Sequence, residues 1–234
     1  MDNSHYEAFL AYTDYDPEYV EAEQYLAKAL QVDLDDDEHF GDDWVIEPAD
    51  WMLARCRAVV ESQPKPDVLD ALVLGLHGSY QRKAVHDLLT AIARQAVTLW
   101  RAGDQGLRVR DLIRDTAHAY KYGTRATDLD FVLEFCDEPT FAAEGDDHED
   151  LRAYWFDSLI KIKQPTVAEF ARAIARTDLG RWEDYRITGA LRIIGRVWEP
   201  GDAELCSQIA SDYPDAEIRR DAKRILKRHG TLGS

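Results

Sequence analysis

The sequence predicts an all-α fold. Its 234 residues contain many segments in which apolar side chains recur at helical spacing, while runs that alternate apolar and polar residues are nearly absent. Prolines and glycines fall between the periodic segments, where helices end and begin. With 45% hydrophobic residues, a chain of this length can bury a sizeable core.

The first helices are predicted from their start signals and apolar spacing. Asp16 and Pro17 form an N-cap and first helical residue, and apolar positions then continue at helical spacing to Leu30. Pro48 opens a second helix, which must end before Pro64. Residues 66–77 are apolar almost all round, so this helix should be buried on most of its faces.

Eight further helices are predicted on the same grounds. They cover residues 80–101, 107–122, 126–137, 150–163, 166–177, 183–198, 202–212 and 215–229. Glycine or proline lies between most of these segments, for example at Gly123, Pro165 and Pro214. The chain is therefore expected to be a series of helices joined by short connections.

A pattern recurs along these helices, and its last copy is the clearest. Asp215 is followed by Ile218 and Arg219, and then by Ala222 and Leu226. Aligned on Arg219, earlier copies centre on positions 69, 110, 152 and 186, where position 69 carries Leu instead of Arg. The successive spacings are 41, 42, 34 and 33 residues. Periods of this size are typical of helical repeat arrays.

On these residues the chain resembles the HEAT-repeat family over residues 49–229, most specifically in its last third. The resemblance implies a right-handed α-solenoid of about five to six antiparallel helix pairs, whose second helices line a concave surface. Such pairs must stack, because an isolated pair cannot cover its own apolar stripe. Gly189, at the place of the family's Ala, should let neighbouring helices approach closely.

The repeated arginines favour a structural interpretation, in which each guanidinium pairs with an acid between repeats. The alternative is a basic strip on the concave face. That strip would draw on Arg108, Arg110, Arg114, Arg192 and Arg196.

The net charge of −17 is concentrated at the start of the chain. Residues 1–50 hold 16 acids and one base, whereas the remaining 184 residues hold 29 acids and 27 bases. We therefore expect an acidic N-terminal helical region, residues 1–47, ahead of a repeat domain over 48–234, together forming one continuous domain. So many carboxylates would repel the phosphates of a nucleic acid.

Residues 33–47, here called the acidic run, carry eight acids and no Lys or Arg. One interpretation is a solvated loop. The other is a docking surface for a basic protein, with aromatic anchors among the carboxylates. The partner-binding residues predicted on this second interpretation are Asp35, Asp36, Asp37, Glu38, Phe40, Asp42, Asp43 and Trp44, with Trp182 as a further aromatic candidate. A calcium loop is disfavoured, because Glu38 stands where an EF-hand needs glycine.

Motifs of catalysis are missing from the sequence. There is no HExxH, GxSxG, Walker or dinucleotide-binding pattern, and none of the seven histidines pairs with Cys at a metal-ligand spacing. Asp115 and His118 share one helical turn, which is ordinarily a structural arrangement. We therefore expect no enzymatic activity, no metal and no cofactor.

The leading hypothesis is a non-enzymatic protein-binding module, most concretely an immunity or inhibitor protein that neutralises a basic toxin such as a nuclease. Its fold-level warrant is analogy with the uses of repeat proteins. One alternative is a HEAT-like scaffold or regulatory protein that binds a peptide along its concave groove. Another is an enzyme similar to the HEAT-like DNA glycosylases, which the near-neutral body disfavours.

A cytoplasmic location is expected. The three cysteines are too few and too far apart for a disulfide framework, and the first residues lack the pattern of a secretory signal. No stretch approaches 18 consecutive apolar residues, so no membrane segment is predicted.

Overall fold

A computed structural model describes residues 17–32, 46, 49–142, 150–177 and 184–230. Within these ranges every regular element is helical, which confirms the predicted all-α class. The first five α-helices are α1 (Pro17–Leu30), α2 (Asp50–Glu61), α3 (Pro66–Gly75), α4 (Lys83–Arg101) and α5 (Leu107–Gly123). The next six are α6 (Leu129–Cys136), α7 (Arg152–Leu159), α8 (Pro165–Thr177), α9 (Asp184–Ile194), α10 (Asp202–Asp212) and α11 (Ala216–Arg228).

The chain forms two compact units, unit 1 (Met1–Gly123) and unit 2 (Thr124–Ser234). The predicted boundary between residues 47 and 48 lies outside the described residues and stays a prediction. Each unit has its own apolar core, and each is described separately below.

Unit 1 is built from helices that pack in two alternating sets. α3 packs against both α1 and α5, while α2 packs against α4. Contacts of α1 with α2 and of α4 with α5 join the two sets. Arg55 on α2 donates a hydrogen bond of 2.6 Å to the carbonyl of Leu30, which satisfies one of the open carbonyls at the end of α1.

The prediction that α3 is central is confirmed. Eight of its ten residues are buried, and Leu69 and Leu72 are fully buried. Pro66 begins the helix, because its fixed φ and missing N–H suit the first helical position. The helix ends at Gly75, whose carbonyl accepts a hydrogen bond of 2.7 Å from the backbone of Ile46.

Unit 2 repeats this arrangement. α6 pairs with α7, α8 with α9, and α10 with α11. In addition α9 packs against both α7 and α11, so the second helix of each pair stacks on the next. Asp215 caps α11 by accepting hydrogen bonds of 2.7 and 2.9 Å from the backbone N–H groups of Glu217 and Ile218.

The sequence repeat falls on the stacking helices of each unit. Leu69 and Arg110 lie on α3 and α5, and Arg152, Arg186 and Arg219 lie on α7, α9 and α11. In unit 1 the helices marked by the pattern contact one another, and in unit 2 they do so as well. The periodicity therefore marks the helices that stack, as apolar positions facing the next repeat require.

Several predicted helix ends are wrong. The segment 126–137 begins with a 3₁₀ turn, Ala126–Asp128, before α6 starts. α9 ends at Ile194, short of the predicted residue 198, so Trp198 lies in the following loop. There its ring stacks on His229 with centroids 4.4 Å apart and an angle of 2° between the planes.

Candidate functional site

The predicted partner-binding residues lie outside the described part of the chain. This holds for Asp35, Asp36, Asp37, Glu38, Phe40, Asp42, Asp43, Trp44 and Trp182. One residue of the acidic run is described: Ile46 is fully buried, and its backbone N–H bonds to the end of α3. The acidic run is therefore attached to unit 1 at α3, which directs attention to the surface of that helix.

Two carboxylates interrupt the apolar surface of α3. Asp67 and Asp70 are each 8% exposed, although α3 is otherwise the most apolar segment of unit 1. Their spacing of three residues places them on one side of the helix. Asp67 forms an ion pair with Arg108, whose Nε atom lies 3.1 Å from Asp67 Oδ1.

Two more carboxylates lie on α5, which packs against α3. Asp111 and Asp115 are one helical turn apart and share the guanidinium of Arg114. Arg114 Nη1 lies 2.8 Å from Asp111 Oδ1, and Arg114 Nε lies 2.9 Å from Asp115 Oδ1. Both acids are partly exposed, so this edge of the α3–α5 pair is open to a partner.

Asp70 is the carboxylate of this group that lacks a hydrogen bond. Its Oδ1 atom is buried and has no hydrogen-bond partner. Burial raises the pKa of Asp70 well above its usual range, and the negative charges of Asp115 and Asp111 raise it further. The guanidinium of Arg114 acts in the opposite direction without cancelling these effects.

Two tyrosines border the carboxylates. Tyr80 donates a hydrogen bond of 2.8 Å to the carbonyl of Val73, and its ring stacks on Tyr122 with centroids 6.0 Å apart. Burial together with Asp115 and Asp70 raises the pKa of Tyr80 above its usual range. The side chain of Tyr122 is 47% exposed.

We call this group the acidic cluster. It consists of Asp67, Asp70, Asp111, Asp115, Arg108, Arg114, Tyr80 and Tyr122. Four carboxylates face two guanidiniums, so an added positive charge would improve the balance. No group of three His, Cys, Asp or Glu side chains among the described residues is arranged to hold a metal ion. The arrangement suits the binding of a cationic side chain.

Sequence reasoning missed the acidic cluster and misassigned two of its arginines. Arg108 and Arg114 pair with acids of the cluster, so they do not form part of a free basic strip. Asp115 bonds to Arg114, while His118 lies beside Lys121, so these two residues do not act as a pair. The available signal was the presence of Asp67 and Asp70 in an otherwise apolar helix.

A second feature is a cleft in unit 2 with a volume of about 200 Å³. Its walls come from α7 with the residues just before it, and from α9. The lining residues are Asp150, Ala153, Tyr154, Phe156, Asp157, Thr188, Gly189 and Arg192. At its edge Arg192 Nη1 lies 3.5 Å from Asp157 Oδ1, which is a weak and exposed ion pair.

Comparisons with known proteins return no relative. The chain matches no family model, no curated protein and no solved structure. Within the described ranges, none of the helices combines the length and the apolar composition needed to cross a lipid bilayer. The resemblance to HEAT repeats therefore depends on the residues and helix contacts of this chain alone.

Proposed function

We propose that the protein is a non-enzymatic binding module that uses the acidic surface of unit 1 to hold a basic protein. One observation carries this proposal: Asp70 is buried without a hydrogen bond for its Oδ1 atom, beside the carboxylates of Asp111 and Asp115. A buried carboxylate in negative surroundings is costly, because burial and like charges both oppose its ionisation. A cation supplied by a partner would relieve that cost.

Two scales of electrostatics support a basic partner. At long range, the 16 acids of residues 1–50 create a negative potential that accelerates the approach of a positively charged protein. At short range, the partly exposed Asp111 and Asp115 can pair with Lys or Arg side chains of that protein. The buried attachment of Ile46 keeps the acidic run on the same unit as the acidic cluster.

The architecture that we propose is a HEAT-type α-solenoid. Its support is the alternation of paired and stacked helices inside each unit, together with the repeat that marks the stacking helices. Such arrays present extended surfaces for binding other proteins. In its most concrete form, the proposal is an immunity or inhibitor protein that covers the active site of a basic toxin such as a nuclease in the cytoplasm.

The test compares two variants of equal net charge after the partner has been identified by cross-linking and mass spectrometry. The first variant replaces Asp67, Asp70, Asp111 and Asp115 by Asn. The control replaces four exposed acids of unit 1, Glu21, Glu61, Asp87 and Asp104, by their amides. Far-UV circular dichroism verifies that both variants fold.

The expected result is that the purified partner is basic and that the cluster variant binds it at least about tenfold more weakly, a loss of about 1.4 kcal/mol. The control should lose on-rate at low salt and keep most of its affinity at about 0.15 M salt, because exposed charges are screened there. Equal losses in both variants, or a partner without a basic surface, would overturn the proposal.

The cleft in unit 2 favours a second candidate function, a scaffold that binds a peptide. Tyr154 and Phe156 offer apolar surface there, and Asp157 and Arg192 offer one charge of each sign. Deleting residues 1–47 separates the two candidates. A scaffold of this kind should keep its partner after the deletion, whereas the acidic binding module should lose it.

A further inference from the structure

The acidic cluster shows which kind of side chain completes it. Three carboxylates, Asp67, Asp111 and Asp115, and one guanidinium, Arg114, act electrostatically on Asp70. Asp70 is 8% exposed, so it is almost fully enclosed by these neighbours. Its immediate surroundings are therefore negative, and its Oδ1 atom receives no donor within the chain.

The two arginines of the acidic cluster are already engaged. Arg108 forms an ion pair with Asp67, and Arg114 bridges Asp111 and Asp115. Neither guanidinium bonds to Asp70 in this arrangement. The remaining exposure of Asp70 gives a donor from outside the chain a way to reach this carboxyl group.

The neighbouring tyrosines distinguish between the two possible cations. Tyr122 is stacked on Tyr80, exposes about half of its side chain, and already lies 5.4 Å from the ammonium of Lys121. A guanidinium can bond two carboxylates through its planar fork and stack on an aromatic face at the same time, whereas an ammonium acts as a compact, strongly hydrated charge.

We infer that Asp70 and Asp115 receive one arginine side chain of the partner, with the exposed ring of Tyr122 as its stacking face. The inference rests on the proposed function and deepens it by naming the anchor that the partner supplies. The anchor is a single arginine on a protruding segment of a basic protein, which inserts beside α3 and α5. An arginine in such a desolvated position is typical of a binding hot spot.

The experiment uses the full chain and three blocked tripeptides, Gly-Arg-Gly, Gly-Lys-Gly and Gly-citrulline-Gly. Citrulline has nearly the shape of arginine without its charge. Binding is followed by NMR through the signals of α3 and α5, and titrations are repeated with Asp70→Asn and Tyr122→Leu. The matched control is Asp212→Asn, which removes an exposed carboxylate at the end of α10 in unit 2.

The arginine peptide should shift the signals of Asp70, Tyr80 and Tyr122 and bind at least about fivefold more tightly than the lysine peptide. Asp70→Asn should weaken the arginine peptide at least about fivefold, and Tyr122→Leu should remove the preference for arginine over lysine. Asp212→Asn should change neither property. The citrulline peptide should not bind measurably.

Three results would overturn the inference: equal binding of the lysine peptide, unchanged binding to Asp70→Asn, or shifts confined to other parts of the chain. These results remain distinct from failure of the proposed function. If the variant with four Asn substitutions loses the partner while Asp70→Asn alone binds normally, the basic partner stands and the arginine anchor fails. If neither variant affects the partner, both proposals fail.

Discussion

The guanidinium of Arg172 on α8 and the carboxylate of Asp202 at the start of α10 form a buried, two-pronged ion pair. Arg172 Nε donates to Asp202 Oδ1 at 2.7 Å, and Arg172 Nη2 donates to Asp202 Oδ2 at 2.9 Å. Asp202 also accepts a hydrogen bond of 2.8 Å from the backbone N–H of Glu199. The pair therefore connects α8, the loop after α9 and α10 within unit 2.

Removing one member of this pair should be costly. Asp202→Asn leaves the Arg172 guanidinium buried without its counter-ion, so we expect the free energy of unfolding to fall by about 3–5 kcal/mol. Urea denaturation followed by circular dichroism measures the change. Asp212→Asn, at the exposed end of the same helix, should stay within about 0.5 kcal/mol of the parent. A similar loss in both variants would contradict a specific role for the pair.

Gly189 should not tolerate a larger residue. A Cβ atom at this position would lie 2.8 Å from Phe156 Cδ1 and 2.9 Å from Phe156 Cβ, which confirms the close approach of α7 and α9 predicted from the sequence. Gly189→Ala should therefore destabilise the protein by about 1–3 kcal/mol, because the packed ring must move.

Gly201→Ala is the matched control for this prediction. A Cβ atom at Gly201 would meet nothing within 4 Å, and the backbone there has an ordinary negative φ of −67°. We expect almost no change in thermal stability for this variant. An equal decrease in melting temperature for the two alanine variants would show that Phe156 does not restrict position 189.

Asp70 should make stability depend on pH. Because the pKa of Asp70 is raised in the folded protein, the folded chain retains a proton that the unfolded chain releases above about pH 4. The contribution of Asp70 to stability is then complete below the unfolded pKa and declines as pH rises toward the folded pKa. Replacing Asp70 by Asn removes this titration.

The stability of Asp70→Asn relative to the parent should therefore increase as the pH is raised from 4.5 to 8. Guanidinium denaturation of both proteins at several pH values measures the difference, which cancels the titration of all other groups. A difference that is constant over this range, or that runs in the opposite direction, would show that the folded pKa of Asp70 is not raised.

The three cysteines should resist modification in the folded protein. All three are buried, and burial raises the pKa of the Cys56 and Cys206 thiols to about 11 and that of Cys136 well above its usual value. Since the thiolate is the reacting form, labelling by Ellman's reagent at pH 8 should be on the order of a hundredfold slower than for a free thiol. In denaturant all three should react rapidly.

Local patterns in the sequence predict most of the helices. Proline at a first helical position gives the starts of α1 and α3, and Asp215 with the apolar spacing after it gives α11. The burial of α3 follows from its nearly continuous apolar composition. These features succeed because each depends on residues within a few turns of one another.

The candidate site depends on contacts that no local pattern encodes. Asp70 meets Asp111 and Asp115 only because α3 and α5 pack together across the intervening α4. Arg172 and Asp202 likewise lie 30 residues apart in the chain. The residues predicted from composition, Asp35 to Trp44 and Trp182, lie outside the described ranges, so that prediction remains to be tested by the binding experiments above.

The alternation of paired and stacked helices also bears on how the chain reaches its folded state. In each unit the main contacts of every helix are with helices one or two positions away along the chain. The loops that must close during folding are consequently short, and contact order is low. Each unit should therefore fold quickly and zip from one helix pair to the next, with little opportunity for strand-mediated aggregation on the way.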